Sequence, residues 1–589
     1  MATSMLSALI KLGPAVRAAI GLGSAAEEQS DSFASAQLGQ RADETAAAAL
    51  SAVINIFCAT KDAIGNISDP NVRSAYLTLA GAEGQFTYRT GDYEGRVESD
   101  PLRGLYIPSA GDPFGTTGCW VRQGGWALQG PDIRFFGCKT FDDDPTFDNT
   151  AILNTLAAHP ELFTFYTVPI SKYGFRTTAE ITSGAVKFPG AGCNPMGDVN
   201  DITKNNARGE GSWFYLDHSG RGFYFNGDGR SALGIPGCGT YRNQPVPMNG
   251  VPFVPFDHDW DVEFLNCEAD VSGMVLWNPT RGVKGRGLYA GRLRCDQRVH
   301  IHPLKRGFDL AEILDVCTLD VHHWPYFSLH QSVKDYTLAN LITLTTGRID
   351  GVNLGYFFTI FANIAWLIST SASGILNRAR GDWVYCDNCT NSVVFEAGSD
   401  GSTIQIDHLI LYGVASSPSG GIGMASSNNN LRIGFLDAEN LYDNIGYIDG
   451  VNNNIQIDQA SLRNWGYRNA GVPAFAVISA TSKVRISGEP EIANLGGRPL
   501  LGGAGKLILP GIVKSGLASL NLGATSVVVA HGLPLAPTNA MIDVKRATGT
   551  GGSSEPYVNN VNETSFTINV GTAPSVAGVA FYWRACVDY

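Results

Sequence analysis

The sequence has few charged residues. Lys, Arg, Asp and Glu make up 16% of its 589 residues, against about 25% in typical soluble domains. Glycine is abundant instead, with 69 residues. Low charge combined with many Gly, Asn and β-branched residues is typical of an all-β protein with many tight turns. The length exceeds that of one ordinary globular core, so we expect several domains or a repeat array.

The charge and the apolar segments of the sequence argue against nucleic-acid binding, membrane insertion and export by a signal peptide. The 42 basic and 54 acidic residues give a net charge of −12, which repels phosphate backbones, so nucleic acid is not an expected partner. The sequence has no 18-residue apolar run without charges or breakers, so we expect no membrane insertion. Lys11 and Arg17 interrupt the apolar segment 5–21, and we therefore expect no signal peptide and assembly in the host cytoplasm.

The cysteines do not indicate a metal site. There are 11 of them, and Cys386 and Cys389 form one isolated CxxC motif without a second pair at zinc-binding spacing. We expect mostly reduced cysteines packed in a core. Neither a metal nor a cofactor is predicted.

A repeat of variable length runs through the second half of the chain. Each unit has an apolar-x-apolar strand, a polar break and a second short apolar run. Aligning Ile404, Leu431, Ile455 and Val484 gives spacings of 27, 24 and 29 residues, which indicates a solenoid. The uneven period predicts a right-handed parallel β-helix whose turns vary in length. Asn residues just before the strands suit left-handed turn geometry and can stack from coil to coil.

The rest of the chain divides into segments of different character. An Ala-, Glu- and Gln-rich stretch at 25–57 predicts a thin helix. A helix near 148–158, with Ile152, Leu153 and Leu156 as its buried stripe, is expected to close the open end of the solenoid. Alternating strands near the C-terminus predict a small β-sandwich. The predicted domains are a helical region at 1–60, a small β-rich module at 61–130, the β-helix at 131–510 and the sandwich at 511–589.

Three segments resemble known families. The sequence FFGCKTFDDDPTFDNTAIL resembles the opening motif of the pectate-lyase-like β-helix superfamily: residues 148–152 match its latter half, while Asp142–Asp144 replace its Gly-Asp-Gly. Segment 307–328 is similar to a stretch of bacteriophage tailspikes in which a coil ends in a Trp-Pro-aromatic turn. Residues 531–533 and 581–585 resemble small C-terminal sandwich domains of phage tail proteins.

This resemblance implies a homotrimeric virion protein. Residues 1–60 would anchor it to a phage tail or baseplate protein, 61–130 would form a neck, and the sandwich would serve trimerisation or receptor binding. The β-helix would bind a bacterial surface polysaccharide (capsule, exopolysaccharide or O-antigen) and depolymerise it by glycoside hydrolysis. A glycan-binding fibre without enzymatic activity and a polysaccharide lyase are the alternatives.

The densest group of carboxylates lies in FDHDWDVEF, residues 256–264. Read as a strand, it places Asp257, Asp259, Asp261 and Glu263 on one face. Same-face neighbours lie about 6.8 Å apart, and inverting glycosidases hold their two carboxyl groups roughly 6.5–9.5 Å apart. We predict a catalytic pair among them. A solvated outer face and a calcium site are the other interpretations.

A second group lies at 309–330. Glu312 precedes Trp324 and Tyr326, whose rings could stack on sugars while the carboxylate binds hydroxyls. His322 and His323 could ligate a metal, but no third ligand is evident, and a turn is the simpler interpretation.

A third group lies in RGDWVYCDNC. Asp382 and Asp387 flank Trp383 and Tyr385, in a region expected mid-solenoid. We predict catalytic carboxylates beside stacking rings, although Asp387 could also serve only to stabilise a turn.

A lyase would instead need cations that neutralise a uronate. The basic stretch 280–306 contains Arg292 and Arg294, which we predict as substrate-binding residues. Surface charge balance on loops is the alternative.

Overall fold

A computed structural model describes residues 56–587, apart from 183–185, 195–209, 230–231, 288–291, 324–329, 415, 494–497, 510–511, 534–535 and 550. The helix predicted for 1–60 lies mostly outside these residues, and Ile56–Cys58 forms a strand instead. The chain divides into two compact units, 1–139 and 140–589. Within the described part of the chain, no helix has the length and apolar character needed to cross a membrane.

The described part of the first unit is built on a five-stranded sheet. Its first two strands are parallel and the others antiparallel. Ile64, Phe86 and Trp120 are buried in its core. The strands, in sheet order, are Ile56–Cys58, Ser74–Leu77, Gly84–Thr90, Gly118–Arg122 and Tyr106–Pro108, and the helices are Lys61–Gly65, Glu94–Ser99, Trp126–Gln129 and the 3-10 helix Ile133–Phe136.

The second unit contains the predicted right-handed parallel β-helix, in which each coil adds one strand to each of two long parallel sheets. The 14-stranded sheet, called the long sheet here, contains Ser171–Phe175, Ser212–Leu216, Gly239–Tyr241, Val275–Trp277, Val299–Ile301, Ile313–His323, Ile349–Ile360, Arg378–Asp387, Thr403–Tyr412, Asn430–Leu441, Asn454–Trp465, Lys483–Ile486, Glu491–Ala493 and Lys506–Ile508. The 12-stranded sheet contains Ala179–Ile181, Phe223–Asn226, Trp260–Leu265, Arg281–Arg286, Arg306–Leu310, Ile342–Thr346, Ile364–Ile368, Asn391–Phe395, Ile422–Met424, Gly446–Ile448, Phe475–Val477 and Leu501–Gly502.

Smaller elements complete the coils. The early coils carry a third, three-stranded parallel sheet. Its strands are Ala232–Gly234, Glu268–Asp270 and Leu293–Arg294; the hairpin Thr370–Ser371 and Gly374–Ile375 and the helix Gln331–Asn340 lie in later turns.

The register of the long sheet confirms the repeat alignment. Ile404 pairs with Leu431, Leu431 with Ile455, and Ile455 with Val484. All four side chains are buried. Spacings of 24 to 29 residues therefore return the chain to the same core position on successive coils.

The asparagines before these strands form ladders, as predicted. Asn428 and Asn452 have φ of 59° and 56°, in the left-handed region. Beside them, the side chain of buried Asn453 accepts from the backbone N–H of Asn429 at 3.0 Å and donates to the carbonyl of Ser426 at 2.7 Å. Each coil thereby satisfies polar groups of its neighbour that would otherwise be buried without partners.

The helix at the start of the β-helix spans Thr150–Ala158. Leu153 and Leu156 are buried, whereas Ile152 is only half-buried. The carboxylate of Asp148 accepts from the backbone N–H groups of Thr150 at 3.0 Å and Arg176 at 3.1 Å. The matched motif residues therefore tie this helix to the first coil.

The C-terminal region is a sandwich of two three-stranded antiparallel sheets, as predicted. Phe566, Ile568, Phe581 and Ala585 form part of its buried core. One sheet contains Ile512–Leu520, Val579–Val587 and Ile542–Arg546, and the other Ser526–Ala530, Ser565–Val570 and Pro556–Asn559, with the 3-10 helix Asn539–Met541 between strands.

Candidate functional site

Five consecutive strands of the long sheet bend midway. In Thr403–Tyr412, buried Ile406 and Leu409 are three residues apart rather than two, so both residues between them face outward. Beyond the bend, every second side chain again points outward. Each strand contributes three such side chains, and those of successive strands pair in register, which forms three columns. We call this surface the aromatic face; its columns are Tyr356, Trp383, His408, Phe435 and Gln459; Phe358, Tyr385, Ile410, Asp437 and Ser461; and Ile360, Asp387, Tyr412, Glu439 and Arg463.

The first column is a stack of rings. The ring centroids of Trp383 and His408 are 4.3 Å apart, and those of His408 and Phe435 are 5.1 Å apart. In the second column, Phe358 and Tyr385 lie 5.1 Å apart. Trp383 remains 38% exposed. Such rings offer apolar faces on which the C–H surfaces of sugars can pack.

The third column contains a carboxyl group in an unusual environment. Burial raises the pKa of Asp387 to about 6. Its carboxylate accepts from the side-chain amide of Asn388 at 2.7 Å, and among the described residues no cation lies within 4 Å of it. The pKa of Asp387 thus lies closer to neutrality than that of an ordinary carboxyl group, as suits a general acid.

Two further carboxylates of the aromatic face are ion-paired instead. Arg463 contacts Asp437 at 2.8 Å and Glu439 at 2.9 Å. Glu439 lies two strands from Asp387, so their Cα atoms are about 10 Å apart at about 4.8 Å per strand. The face thus combines, two strands apart, a carboxyl group with a raised pKa and an ion-paired carboxylate.

A basic cluster continues this face into the preceding coils. The guanidinium carbon of Arg298 lies 3.8 Å from the centre of the Tyr356 ring. The Nδ1 atoms of His300 and His322 are 3.3 Å apart. Burial lowers the pKa of both histidines, that of His322 to about 4, and Arg298 lowers both further. At neutral pH the permanent positive charge of this cluster therefore belongs to Arg298.

The first predicted carboxylate cluster is not one face of a strand. The strand begins at Trp260, so Asp257 and Asp259 precede it. The side chain of Asp261 is fully buried and pairs with Arg242 at 2.9 Å and Thr240 at 2.6 Å. Burial raises the pKa of Asp261 against the opposing effect of Arg242. This pair locks a corner of the coil, out of reach of an external glycan.

The exposed members of that cluster are also engaged. Asp257 contacts Arg281 at 2.8 Å and Lys305 at 3.6 Å. Its slight burial raises the pKa, but these two cations outweigh it, and the pKa is lowered. Glu263 lies on the outer surface of the 12-stranded sheet between Lys284, at 2.8 Å, and Arg221, at 3.3 Å. The four carboxylates do not form one site.

The other predicted residues are scattered. Glu312 has φ of 61° and lies in the turn before Ile313–His323, at the edge where the long strands begin, whereas the aromatic face lies toward their ends. Asp382 lies at the bend and contacts Arg380 at 3.1 Å. Of the third group, Asp387, Trp383 and Tyr385 thus lie together on the aromatic face. Trp324 and Tyr326 are outside the described residues.

The predicted basic residues belong to a different surface. Arg294 contacts Asp296 at 2.7 Å and Glu268 at 3.4 Å, and Arg292 lies 4.0 Å from Glu268. Both are beside or in the three-stranded sheet, whereas Arg298 belongs to the basic cluster that continues the aromatic face. No group of three or more His, Cys, Asp or Glu side chains in the described ranges is arranged to hold a metal ion.

Asp437, Glu439, Arg463 and Arg298 were not predicted from the sequence, although the repeat alignment contained a signal for two of them. Ala379 pairs with Ile404, and counting eight residues on from each aligned core position reaches the third column. The members of that column reached in this way are Asp387, Tyr412, Glu439 and Arg463.

Comparison with known proteins finds similar solved structures only. No protein-family model matches the chain, and no curated protein matches its sequence. The tailspike protein of Acinetobacter phage vB_ApiP_P1 is 9% identical, over 91% of this chain and 99% of that chain, with a TM-score of 0.35. The Gp54 tailspike of Acinetobacter baumannii bacteriophage AP22, solved in complex with A. baumannii capsular saccharide, is 10% identical over 75% and 94%, with a TM-score of 0.28.

A third similar structure is Pantoea stewartii WceF, described as a glycan biofilm modifying enzyme with a bacteriophage tailspike-like parallel β-helix fold. It is 10% identical over 90% of this chain and 70% of that chain, with a TM-score of 0.28. Similarities of this size do not identify the function of this chain.

Proposed function

We propose that this protein is a tailspike whose aromatic face binds a bacterial surface polysaccharide and cleaves it by glycoside hydrolysis. The observation that carries the proposal is the third column, in which Asp387, with its pKa raised to about 6, is followed two strands away by Glu439. Glycoside hydrolysis needs a protonated acid at the leaving oxygen and an ionised partner.

The proposed roles follow from the environment of each carboxyl group. Asp387 donates its proton to the glycosidic oxygen. Glu439, held by Arg463, accepts a proton from a water that attacks the anomeric carbon. The glycosidic bond then lies over Tyr412, which stands between the two carboxyl groups. The two Cα atoms are about 10 Å apart, and attack by a water held by Glu439 would give inversion at the anomeric carbon.

Binding is assigned to the ring column. Trp383, His408 and Phe435 form a continuous stack along the β-helix axis. The second column lies between these rings and the third column, so Trp383 and Asp387 are four residues apart on their strand, about 14 Å at about 3.4 Å per residue. A polysaccharide lying across the face from these rings would reach Asp387 and Glu439, so that binding and cleavage share one surface.

The test uses purified capsular, exopolysaccharide and O-antigen preparations. Binding and the release of reducing ends are measured separately for the wild-type protein, Asp387→Asn, Glu439→Gln and the exposed control Asp449→Asn. We expect the first two variants to lose about 10²- to 10⁴-fold in cleavage while retaining binding, and the control to keep both.

Other outcomes would change the assignment. Release of products with the ultraviolet absorbance of an unsaturated uronate would identify a lyase. Binding without any cleavage by the wild-type protein would identify a glycan-binding fibre. Near-normal cleavage by Asp387→Asn would refute the role of Asp387.

We also propose that the protein is a homotrimer attached to the virion tail through its N-terminal region. Support comes from the outer surface of the 12-stranded sheet in its later coils, where Val394, Gly423, Tyr447 and Ala476 follow one another in register. Tyr447 is 49% exposed. Association of three copies would cover such a surface. Light scattering should give three times the mass of one chain, and a stable monomer would contradict this.

A further inference from the structure

Arg298 differs from its neighbours in having no acidic partner. Several other arginines of the β-helix surface are paired, as Arg380 is with Asp407 at 2.9 Å and Arg432 with Asp458 at 2.9 Å. Arg298 is exposed, and among the described residues no carboxylate oxygen lies within 4 Å of its guanidinium group. Its charge is available to a ligand.

The orientation of Arg298 is restrained by Tyr356. The guanidinium stacks over this ring at 3.8 Å from its centre, which leaves the N–H edge of the guanidinium free to bind a planar anion with two hydrogen bonds. Asp320, on the neighbouring strand, is engaged elsewhere: its carboxylate accepts from the backbone N–H of Tyr356 at 2.9 Å. The stacking reduces the entropy that Arg298 loses on binding.

Two imidazoles lie beside this guanidinium. His300 and His322 share a hydrogen bond between their Nδ1 atoms, at 3.3 Å. In a neutral pair one Nδ1 donates and the other accepts, so the ring that accepts carries its own N–H at Nε2. Burial is the main cause that lowers the pKa of both rings, and the charge of Arg298 lowers it further. A bound anion would offset the effect of Arg298. The cluster therefore combines the fixed positive charge of Arg298 with two neutral imidazoles.

We infer that Arg298, His300 and His322 form a carboxylate-binding subsite, and that the polysaccharide bound by the aromatic face contains an acidic sugar such as a hexuronate. This inference rests on the proposed function. It identifies the substrate as an acidic rather than a neutral polysaccharide.

The charges along the face also set the direction of the bound chain. Val299, next to Arg298, is in the strand three steps before that of Asp387, which is about 14 Å at about 4.8 Å per strand. The acidic sugar would lie at the Arg298 end, away from Asp387, Asp437 and Glu439, whose carboxylates would repel it. Sugars without charge would occupy the rings between these ends.

The subsite is tested with two small probes, methyl β-D-glucuronide and methyl β-D-glucoside, by saturation-transfer NMR and titration on the full-length protein. We expect the wild-type protein to bind the glucuronide about tenfold more tightly than the glucoside, as one charge-assisted contact provides. Arg298→Gln should abolish this preference, and Arg298→Lys should retain part of it. The matched control is Arg485→Gln, an exposed arginine of the long sheet that lies outside the aromatic face.

Equal binding of the two probes, or a preference that survives in Arg298→Gln, would overturn the inference. An equal loss in Arg485→Gln would do the same, since it would show a general effect of surface charge. Thermal unfolding of each variant verifies that it is folded.

Cleavage assays on polysaccharides with and without sugar carboxylates distinguish this inference from the proposed function. If the protein cleaves a polysaccharide without any sugar carboxylate, the subsite is wrong and the hydrolase stands. If the glucuronide preference depends on Arg298 but no polysaccharide is cleaved, the subsite stands and the hydrolase is wrong. For a cleaved acidic polysaccharide, reduction of its carboxyl groups to alcohols should weaken binding about tenfold.

Discussion

Asp387 and Glu439 lie in one column of outward-facing side chains, two strands apart, with Tyr412 between them. Their environments differ: burial raises the pKa of Asp387 to about 6, whereas Glu439 contacts Arg463 at 2.9 Å. A carboxyl group with a raised pKa and an ion-paired carboxylate on one surface fit the acid and base of the proposed glycoside hydrolysis.

The pH dependence of cleavage follows from Asp387. As the general acid it must be protonated, so kcat/KM should fall about tenfold per pH unit above pH 6. The measurement is initial rates of reducing-end release between about pH 5 and pH 9 at constant ionic strength. A rate that stays level through about pH 8 would show that another group donates the proton.

Binding should depend on Trp383, which is the most exposed ring of the first column. Trp383→Ala removes a stacking surface and should weaken polysaccharide binding by about 1–2 kcal/mol, a factor of roughly 5 to 30, taking aromatic burial and packing together. Phe114→Ala, at an exposed ring of the first unit, is the control. If both variants bind alike, the aromatic face is not the binding surface.

The role of Asp261 is expected to be structural. Both Asp261 and Arg242 have fully buried side chains, and loss of the carboxylate would leave a buried guanidinium without its counter-charge. Asp261→Asn should lower the free energy of unfolding by about 3–5 kcal/mol, measured by urea unfolding. Asp257→Asn, at an exposed side chain, should change it little. Equal stability of the two variants would contradict a structural role for the buried pair of Asp261 and Arg242.

The asparagine ladder should be sensitive to position. Asn453→Ala leaves the backbone N–H of Asn429 and the carbonyl of Ser426 without their partner, at a cost of roughly 1–3 kcal/mol for each buried group. Asn454→Ala removes only an exposed contact to Asn430 at 3.4 Å and should cost less than about 1 kcal/mol. Thermal unfolding of the two variants gives the comparison, and a larger loss in Asn454→Ala would be inconsistent with the buried ladder.

The sequence was sufficient to predict features that depend on local periodicity. The alignment of Ile404 with Leu431 and Ile455 is the register of the sheet, because each core position recurs once per coil. The helix Thr150–Ala158 and the left-handed asparagines followed from capping and turn preferences.

The site was harder to predict because it depends on contacts between coils. Counting alternate residues from Asp257 assumed that the strand began there, whereas it begins at Trp260. Nothing in that segment indicates that Arg242, 19 residues earlier, draws Asp261 into the interior. Arg298 likewise gains its role only through Tyr356, which lies two coils further along the chain.

Because successive coils keep the same register, the aromatic face can lengthen or shorten only by whole coils. One coil, such as 431–454, contributes one side chain to each column, and its removal would bring Ile455 onto Ile404 with the columns still aligned. Such a deletion would shorten the aromatic face by about 4.8 Å and remove Asp437 and Glu439 while leaving Asp387 in place. Under the proposed function, the length of the binding surface would then change by entire coils, a coarser form of variation than substitution, without rebuilding the core.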